Sequence, residues 1–325
     1  MVRRIGGPEV LEVEERSVPE PRRGQVRLRV LAAGVAYGDL MRAKGVMPVR
    51  RPFTPGYDVV GEIDAVGPGV SDERLGARVG AILPAIGTGG YAEHVCVAAK
   101  TTVPVPDAVS ADVAVALGVN YISARQILHG LCRIQSGQTV LVHGASGGVG
   151  TALVDVAVLA GANVWGTASA AKHDVVRARG AVPIDYRTED FVERVLAETD
   201  GGVDHVTESV GPEQLDRSVA ATRRGGTVVF FGLTTASGPA ALLRSAWTFV
   251  RLWATSGRRL RFYGFGSTPG SRMAVCVHDW TSLLTDAAAG QLNPLIGARV
   301  PLLEAASAHD LLGRGAVTGK IVLMG

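Results

Sequence analysis

Residues Val26-Arg27-Leu28-Arg29-Val30-Leu31 alternate apolar and basic side chains, the period-two pattern of a half-buried strand. Residues 59–66 predict a second strand, closed by Gly67-Pro68-Gly69, and residues 78–82 and 91–97 predict two more with turn residues between them. Short strands divided by Gly and Pro indicate a small barrel or sandwich over the first third of the chain. The texture changes near Asp107. Ser110 is placed to cap an Ala-rich helical stretch, and from Thr139 strands and helices alternate. Strands are predicted at 139–143, 163–167, 203–207 and 227–231, with helices at 150–160, 172–179 and 212–221. That alternation predicts βαβ units and a parallel sheet. Beyond Arg258 the pattern is mixed again, with a strand at 261–265, a helix at 278–289 and a closing strand at 320–323. The expected organisation is an α/β domain inserted between two parts of a β-rich one.

Composition narrows the function classes. The chain has 325 residues, 47% of them hydrophobic and 19% charged, too apolar for a disordered chain. No apolar run approaches the roughly 18–20 residues that span a bilayer, and the N-terminus, Met1-Val2-Arg3-Arg4-Ile5-Gly6-Gly7-Pro8, has no apolar stretch behind its charges, so no secretory signal is expected. Cys96, Cys132 and Cys276 are too few and too scattered for a disulfide framework or a thiolate cage, and a cytoplasmic setting is the expectation. The net charge of +3 is spread along the chain, and the one basic cluster, residues 251–261, is interleaved with Leu252, Trp253 and Leu260. Nucleic-acid binding would call for a larger field of one sign. The 42 Gly and 16 Pro are dispersed, as suits many tight turns, and no solenoid repeat is visible.

The strand Val140-Leu141-Val142-His143 runs into Gly144-Ala145-Ser146-Gly147-Gly148-Val149-Gly150 and then into an apolar helix. In that context the glycines permit a tight turn and let backbone approach a pyrophosphate, while the helix start offers free N–H groups. The alternative is a ligand-free strand-to-helix turn. The next strand bears on which dinucleotide binds. NAD-preferring folds place an acid roughly 20 residues on to hold the ribose 2′-hydroxyl, but Val164-Trp165-Gly166-Thr167-Ala168-Ser169 ends without one, and Lys172 follows. Ser169 and Lys172 suit a 2′-phosphate, which favours NADPH; an ordinary solvated helix residue is the other reading of Lys172.

Together these motifs resemble the zinc-independent medium-chain dehydrogenases/reductases of the quinone oxidoreductase (zeta-crystallin-like) group. Gly7-Pro8-Glu9-Val10-Leu11 is similar to the opening signature, Ala33-Gly34-Val35-Ala36-Tyr37-Gly38-Asp39 to the active-site segment, and Pro55-Gly56-Tyr57-Asp58-Val59-Val60-Gly61 to the turn into the barrel. Gly144, Ala145, Ser146, Gly147, Gly148, Val149 and Gly150 match the cofactor loop. Gly166-Thr167-Ala168-Ser169 with Ile184-Asp185-Tyr186 resembles the 2′-phosphate pocket, and Gly319-Lys320-Ile321-Val322-Leu323 the last strand. The resemblance implies a GroES-like β-rich catalytic domain (1–112 and 266–325) plus a Rossmann doubly wound parallel-sheet domain (113–265). It implies NADPH-dependent reduction of a quinone or the C=C bond of an α,β-unsaturated carbonyl compound, in a homodimer. By the same match Tyr186 joins Ser169 and Lys172 around the 2′-phosphate, Ser123 contacts the nicotinamide side, and Gly232 belongs to the cofactor set.

Zinc-dependent relatives need a Cys in the active-site segment and a His where Tyr57 stands, so metal catalysis is not expected. Many relatives have Asn at Ala36, Tyr at Met47, Asp within the turn Gly76-Ala77-Arg78-Val79, and Asp where Glu208 stands. Without a metal, negative charge growing on the acceptor's carbonyl oxygen needs hydrogen-bond donors. Tyr37 and Tyr57 are the candidates, with a satisfied structural hydroxyl as the alternative for each. Asp39 either orients a donor or caps a helix. His143 and His94 have no Ser or Cys partner in a nucleophile motif, which leaves hydrolase chemistry unsupported. The apolar stretch 239–253 would line a pocket, pack at an interface, or lie on a membrane surface. The rival to a reductase is a protein of the same fold that binds cofactor for another purpose, or acts on a specialised natural-product substrate; Ala36 and Met47 favour it.

Overall fold

The computed structural model describes residues 1–83, 89–232, 239–265 and 272–325. The chain divides into two compact units, Met1–Ile122 with Ser271–Gly325, and Ser123–Gly270. These limits differ from the domain limits read from sequence at residues 113–122, which group with the first unit; the expected limit at 266 lies outside the described residues.

In the first unit, β1 (Gln25–Gly34) buries Val26, Leu28 and Val30 and turns Arg27 and Arg29 outward, as the alternation requires. Helix α1 (Tyr37–Ala43) follows, then β2 (Asp58–Val66), β3 (Arg78–Ile82), β4 (His94–Ala98) and β5 (Val103–Pro104). β1 pairs antiparallel with β2 and β4, and β2 with β3. A Cβ on Gly61 would stand 2.4 Å from the carbonyl oxygen of Arg29, which explains a glycine where β1 and β2 shift register. Helix α2 (Ala111–Ala116) starts after Ser110, but the serine oxygen accepts no N–H of the first turn; its hydroxyl donates to the Asp112 carboxylate, whose other oxygen accepts from Arg299. Helix α3 (Val119–Arg125) carries the chain into the second unit, continued by a π-helical segment, Gln126–Cys132.

There the elements alternate: β6 (Thr139–Val142), α4 (Gly148–Leu159), β7 (Asn163–Ala168), α5 (His173–Ala178), β8 (Ala181–Asp185), α6 (Phe191–Glu198), β9 (Val203–Glu208), α7 (Pro212–Ala220), β10 (Thr222–Phe230), α8 (Pro239–Thr255) and β11 (Arg259–Phe262). The sheet order is β11-β10-β9-β6-β7-β8, with every pairing parallel. Chain order reverses between β6 and β9, the switch point at which ligands bind in doubly wound sheets. The helix expected at 172–179 opens as a 3-10 turn, Ala170–Lys172, before α5. β8 carries Pro183, which costs no ladder bond on an edge strand. Of the apolar stretch at 239–253, Phe249 and Leu252 pack into the core of this unit, while Leu243, Trp247, Val250 and Trp253 are exposed.

The chain then returns to the first unit with α9 (Met273–Ala288), β12 (Ile296–Pro301), α10 (Ala305–Gly313) and β13 (Lys320–Met324). β13 pairs antiparallel with β1 and parallel with β12, so it completes that side of the first unit's sheet from inside, with β12 as the edge strand. Trp280 of α9 is fully buried against Gly80, where a Cβ would come within 2.6 Å of the ring, and its indole N–H donates to Ala114 O at 3.1 Å.

One buried ion pair ties this closure together. Lys320 Nζ lies 3.8 Å from Asp58 Oδ2, both side chains are shielded from solvent, and Oδ2 also accepts the Val119 N–H at 2.9 Å. Gly34 and Gly118 flank the carboxylate, with added Cβ atoms falling 2.2 and 2.5 Å from its oxygens. Asp58→Ala, which strands the ammonium, is expected to cost about 3–5 kcal/mol. Denaturant titration checks this, and the double variant Asp58→Asn/Lys320→Met should lose less than the two single changes together.

Candidate functional site

At the carboxyl end of β6 the chain turns through Gly144, whose φ of +65° suits glycine. Gly147 N–H then donates to Gly144 O at 2.9 Å, and Thr151 N–H to Gly147 O at 2.8 Å, which starts α4. Gly150 lies against this turn so closely that a Cβ would sit 2.0 Å from Gly144 O and 2.9 Å from Ala145 Cα. Gly147 brings no capping side chain, so the N–H groups of Gly148, Val149 and Gly150 leave the first turn without an intrahelical acceptor. A Cβ would meet nothing nearer than 3.6 Å at Gly144 and 3.4 Å at Gly147, leaving that side of the loop open. Free amides, the positive end of the α4 dipole and bare backbone form a cradle suited to an anion, and to the diphosphate of a dinucleotide in particular.

The neighbouring strands place the rest of the predicted set. Ala145 N–H donates to Thr167 O at 3.0 Å, joining the loop to β7, and Ser146 is buried in the turn. Ala168 of β7 is in register with Asp185 of β8, so Ser169 and Tyr186 emerge side by side just beyond the paired ends. Lys172 ends the 3-10 turn that begins after Ser169, and partial burial lowers its ammonium pKa. Tyr186 is half exposed, with the Arg187 guanidinium 5.6 Å from its ring centre. Arg187 adds a cation that the sequence reading passed over; the adjacency of Tyr186 at a strand end was its only signal. Gly232 follows β10, where a Cβ would stand 2.7 Å from Ser209 O, so this loop and the one after β9 touch through backbone. Ser123 is buried on α3, its hydroxyl 3.3 Å from that of Tyr263, which donates to Gln126 at 2.9 Å.

In the other unit, α1 gathers the predicted catalytic residues. Asp39, in its first turn, reaches back to accept the Ala36 N–H at 3.3 Å and takes the Gly56 N–H on its other oxygen at 3.0 Å. Tyr57 is buried with its ring under the Arg42 guanidinium, 4.4 Å from the centroid, and its hydroxyl lies over Gly38, where a Cβ would be 2.5 Å away. Tyr37 is 38% exposed. Burial raises the pKa of both phenols, so both stay protonated at neutral pH. The structure adds two partners the sequence reading missed: Tyr91, whose hydroxyl is 3.3 Å from Asp39 Oδ2, and His309, whose Nε2 is 3.2 Å from the same hydroxyl. His309 is distant in sequence and carries no motif, so nothing before the fold pointed to it.

Burial pushes the Asp39 carboxyl up to about 6 and the His309 imidazole down to about 4. A raised Asp favours the folded state most when protonated, so its contribution falls as pH climbs from 3.8 to about 6. A depressed His acts oppositely, its contribution growing from about 4 to 6.5. The two offset each other in the intact protein. His309→Gln is expected to make stability fall with rising pH across this range, and Asp39→Asn to make it rise. Melting temperatures recorded from pH 4 to 6.5 check both signs.

Comparison with known proteins adds the family. The family model described as an alcohol dehydrogenase GroES-like domain matches residues 22–107, and the one described as a zinc-binding dehydrogenase matches residues 180–323. The chain is 31% identical to quinone oxidoreductase of Mus musculus over 331 residues, covering 98% of this chain and 95% of that one. The chain belongs to the quinone oxidoreductase group of the medium-chain dehydrogenases/reductases. It is also 35% identical over 256 residues to the synaptic vesicle membrane protein VAT-1 homolog of Rattus norvegicus, a match that covers 77% of this chain but spans only 62% of that protein. Among solved structures, Escherichia coli quinone oxidoreductase complexed with NADPH aligns with a TM-score of 0.89 at 25% identity, covering all of this chain and 98% of that one. As a quinone oxidoreductase relative, the chain has its glycine loop at the switch point of a doubly wound sheet and its Tyr-rich turn in a GroES-like unit. Among the described residues no three His, Cys, Asp or Glu side chains gather as a metal centre requires, and no helix is long and apolar enough to cross a membrane.

Proposed function

We propose that this protein is an NADPH-dependent reductase of quinones or of the C=C bond of α,β-unsaturated carbonyl compounds, working without zinc. The observation that carries this reading is the cradle from Gly144 to Gly150, combined with a β7 end that offers Ser169 and a nearby Lys172 in place of an acid. The same cofactor in a solved relative of this fold supports it. Gly148, Val149 and Gly150 donate to the diphosphate, while Ser169, Lys172 and Tyr186, helped by Arg187, surround the 2′-phosphate. Ser123 and Gly232 complete the set, Ser123 toward the nicotinamide.

Bound NADPH supplies a hydride. The protein's part is to prepare the acceptor. As a carbonyl accepts the electron pair, its oxygen gains negative charge, and the Tyr37 and Tyr57 hydroxyls hold that charge by donating hydrogen bonds. Because burial raises both phenols, they donate without giving up their protons, and a solvent proton completes the two-electron reduction. Asp39 fixes the start of α1 and the turn at Gly56, and so sets where both tyrosines stand.

The direct test follows the loss of NADPH absorbance against a panel of quinones and enones, with calorimetry for cofactor affinity. Turnover with at least one class supports the proposal; firm NADPH binding with no turnover across the panel favours the binding-protein reading. Lys172→Ala is expected to weaken NADPH binding about tenfold or more while sparing NADH, since one charge-assisted contact is worth roughly 1.5–3 kcal/mol. Equal losses for the two coenzymes would remove Lys172 from the 2′-phosphate site.

A further inference from the structure

Beneath the glycine loop lies a set of polar side chains that the proposed reaction does not use. His143, Thr167, Glu208 and Ser218 come from β6, β7, β9 and α7 or their ends, and all are buried. In sequence they are widely separated, and the reading by motif set His143 aside for want of a Ser partner nearby.

Proton counting gives the cluster a single direction. Gly144 N–H donates to Thr167 Oγ1 at 3.2 Å, so that oxygen is an acceptor on one side. At the other end the Ser218 proton goes to Glu208, so Ser218 accepts from His143 Nε2, and Nδ1 of the neutral ring is left to accept the Thr167 hydroxyl proton, 3.2 Å away. Burial lowers the pKa of His143 and keeps the ring neutral, so Nε2 carries the proton and donates to Ser218 Oγ at 3.1 Å. Ser218 in turn donates to Glu208 Oε2. The other oxygen of Glu208 accepts the N–H groups of Val210 at 2.6 Å and Gly211 at 3.3 Å. Every link has one donor and one acceptor, and the chain runs from the first glycine of the loop to a buried carboxylate. The His143 and Phe191 rings meet in a T-shaped contact, 4.8 Å between centroids, which restrains the imidazole plane.

We propose that Thr167, His143, Ser218 and Glu208 form a directed hydrogen-bond relay that positions the diphosphate cradle, setting the Gly144 amide from one end and the Val210–Gly211 turn from the other. They are positioning residues, acting on the cofactor only through the loops. The arrangement accounts for the glutamate at position 208. Its carboxylate, on the last residue of β9 at the switch point, spans from the Ser218 hydroxyl on α7 to two amides of the turn that follows. The inference rests on NADPH as the cofactor, and the experiment separates the two.

Calorimetry on the full chain compares NADPH with adenosine 2′-phosphate, which keeps the 2′-phosphate end and lacks the diphosphate. Thr167→Val, nearly isosteric, and Ser218→Ala are expected to weaken NADPH about tenfold, because they release the Gly144 amide or break the relay, and to leave adenosine 2′-phosphate affinity unchanged. Nitrogen NMR at neutral pH should show His143 protonated at Nε2 in the parent protein. Equal weakening of both ligands, unchanged NADPH affinity in folded variants, or protonation at Nδ1 overturns the relay. A parent protein that binds adenosine 2′-phosphate but not NADPH, or neither, overturns the cofactor reading itself, a result visible before any variant is made.

Discussion

Gly150→Ala is expected to abolish measurable NADPH binding and to lower the melting temperature. The added methyl falls 2.0 Å from Gly144 O, an oxygen that belongs to backbone and cannot rotate away, and 2.9 Å from Ala145 Cα. Relief requires α4 to move off the turn or the turn to open. Overpacking of that kind costs about 1–3 kcal/mol. It also carries the Gly148, Val149 and Gly150 amides away from the loop that faces the diphosphate, which removes the binding geometry itself. The control is Gly147→Ala: φ there is −80° and the nearest atom is 3.4 Å from the new Cβ, so the fold should accept it. A parallel pair of calorimetric titrations and melting curves reads the difference. Wild-type affinity in a folded Gly150→Ala protein would place the cofactor somewhere other than this loop.

Tyr57→Phe is expected to lower kcat by about 10²–10³ with NADPH affinity unchanged, the scale of losing one donor to a developing oxyanion. The substitution keeps the ring, its contact with the Arg42 guanidinium 4.4 Å away, and its packing, and removes only the hydroxyl over Gly38. Gly38→Ala provides an independent approach to the same atom, since its Cβ would stand 2.5 Å from the Tyr57 hydroxyl and displace it. Stopped-flow measurement of hydride transfer, which isolates the chemical step from product release, is the appropriate assay. A Phe variant with full kcat on quinone and enone alike would remove Tyr57 from the chemistry and leave Tyr37 as the donor.

The parts of the molecule that were legible beforehand share a local cause. β1, β2, β3 and β6 are marked by alternation or by a continuous apolar run, and the cradle is marked by glycines whose need is set within seven residues. α6 and β8 were missed because each is short: α6 is only eight residues, although it is amphipathic and capped by Asp190, and β8 contains Pro183, which its place at the sheet edge makes harmless. β12 and α10 were missed for a different reason. Their apolar faces become meaningful only when β13 pairs with β1 and buries them, with Val300 and Ala308 in the same core as Leu28 and Ile63.

The sequence by itself determined the alternation of βαβ units, the glycine loop, the absence of an acid after β7, and the family to which these belong, because each depends on residue type at short spacing. Tertiary structure alone decided which polar groups meet. Asp58 finds Lys320 across almost the whole chain, Asp39 finds Tyr91 and His309, and the Gly144 amide is tied to Glu208 through three side chains, Thr167, His143 and Ser218. The physical reason is that a buried polar or charged group is stabilised by whatever partner the fold brings beside it, and that partner is chosen by strand order and register, which no local pattern encodes.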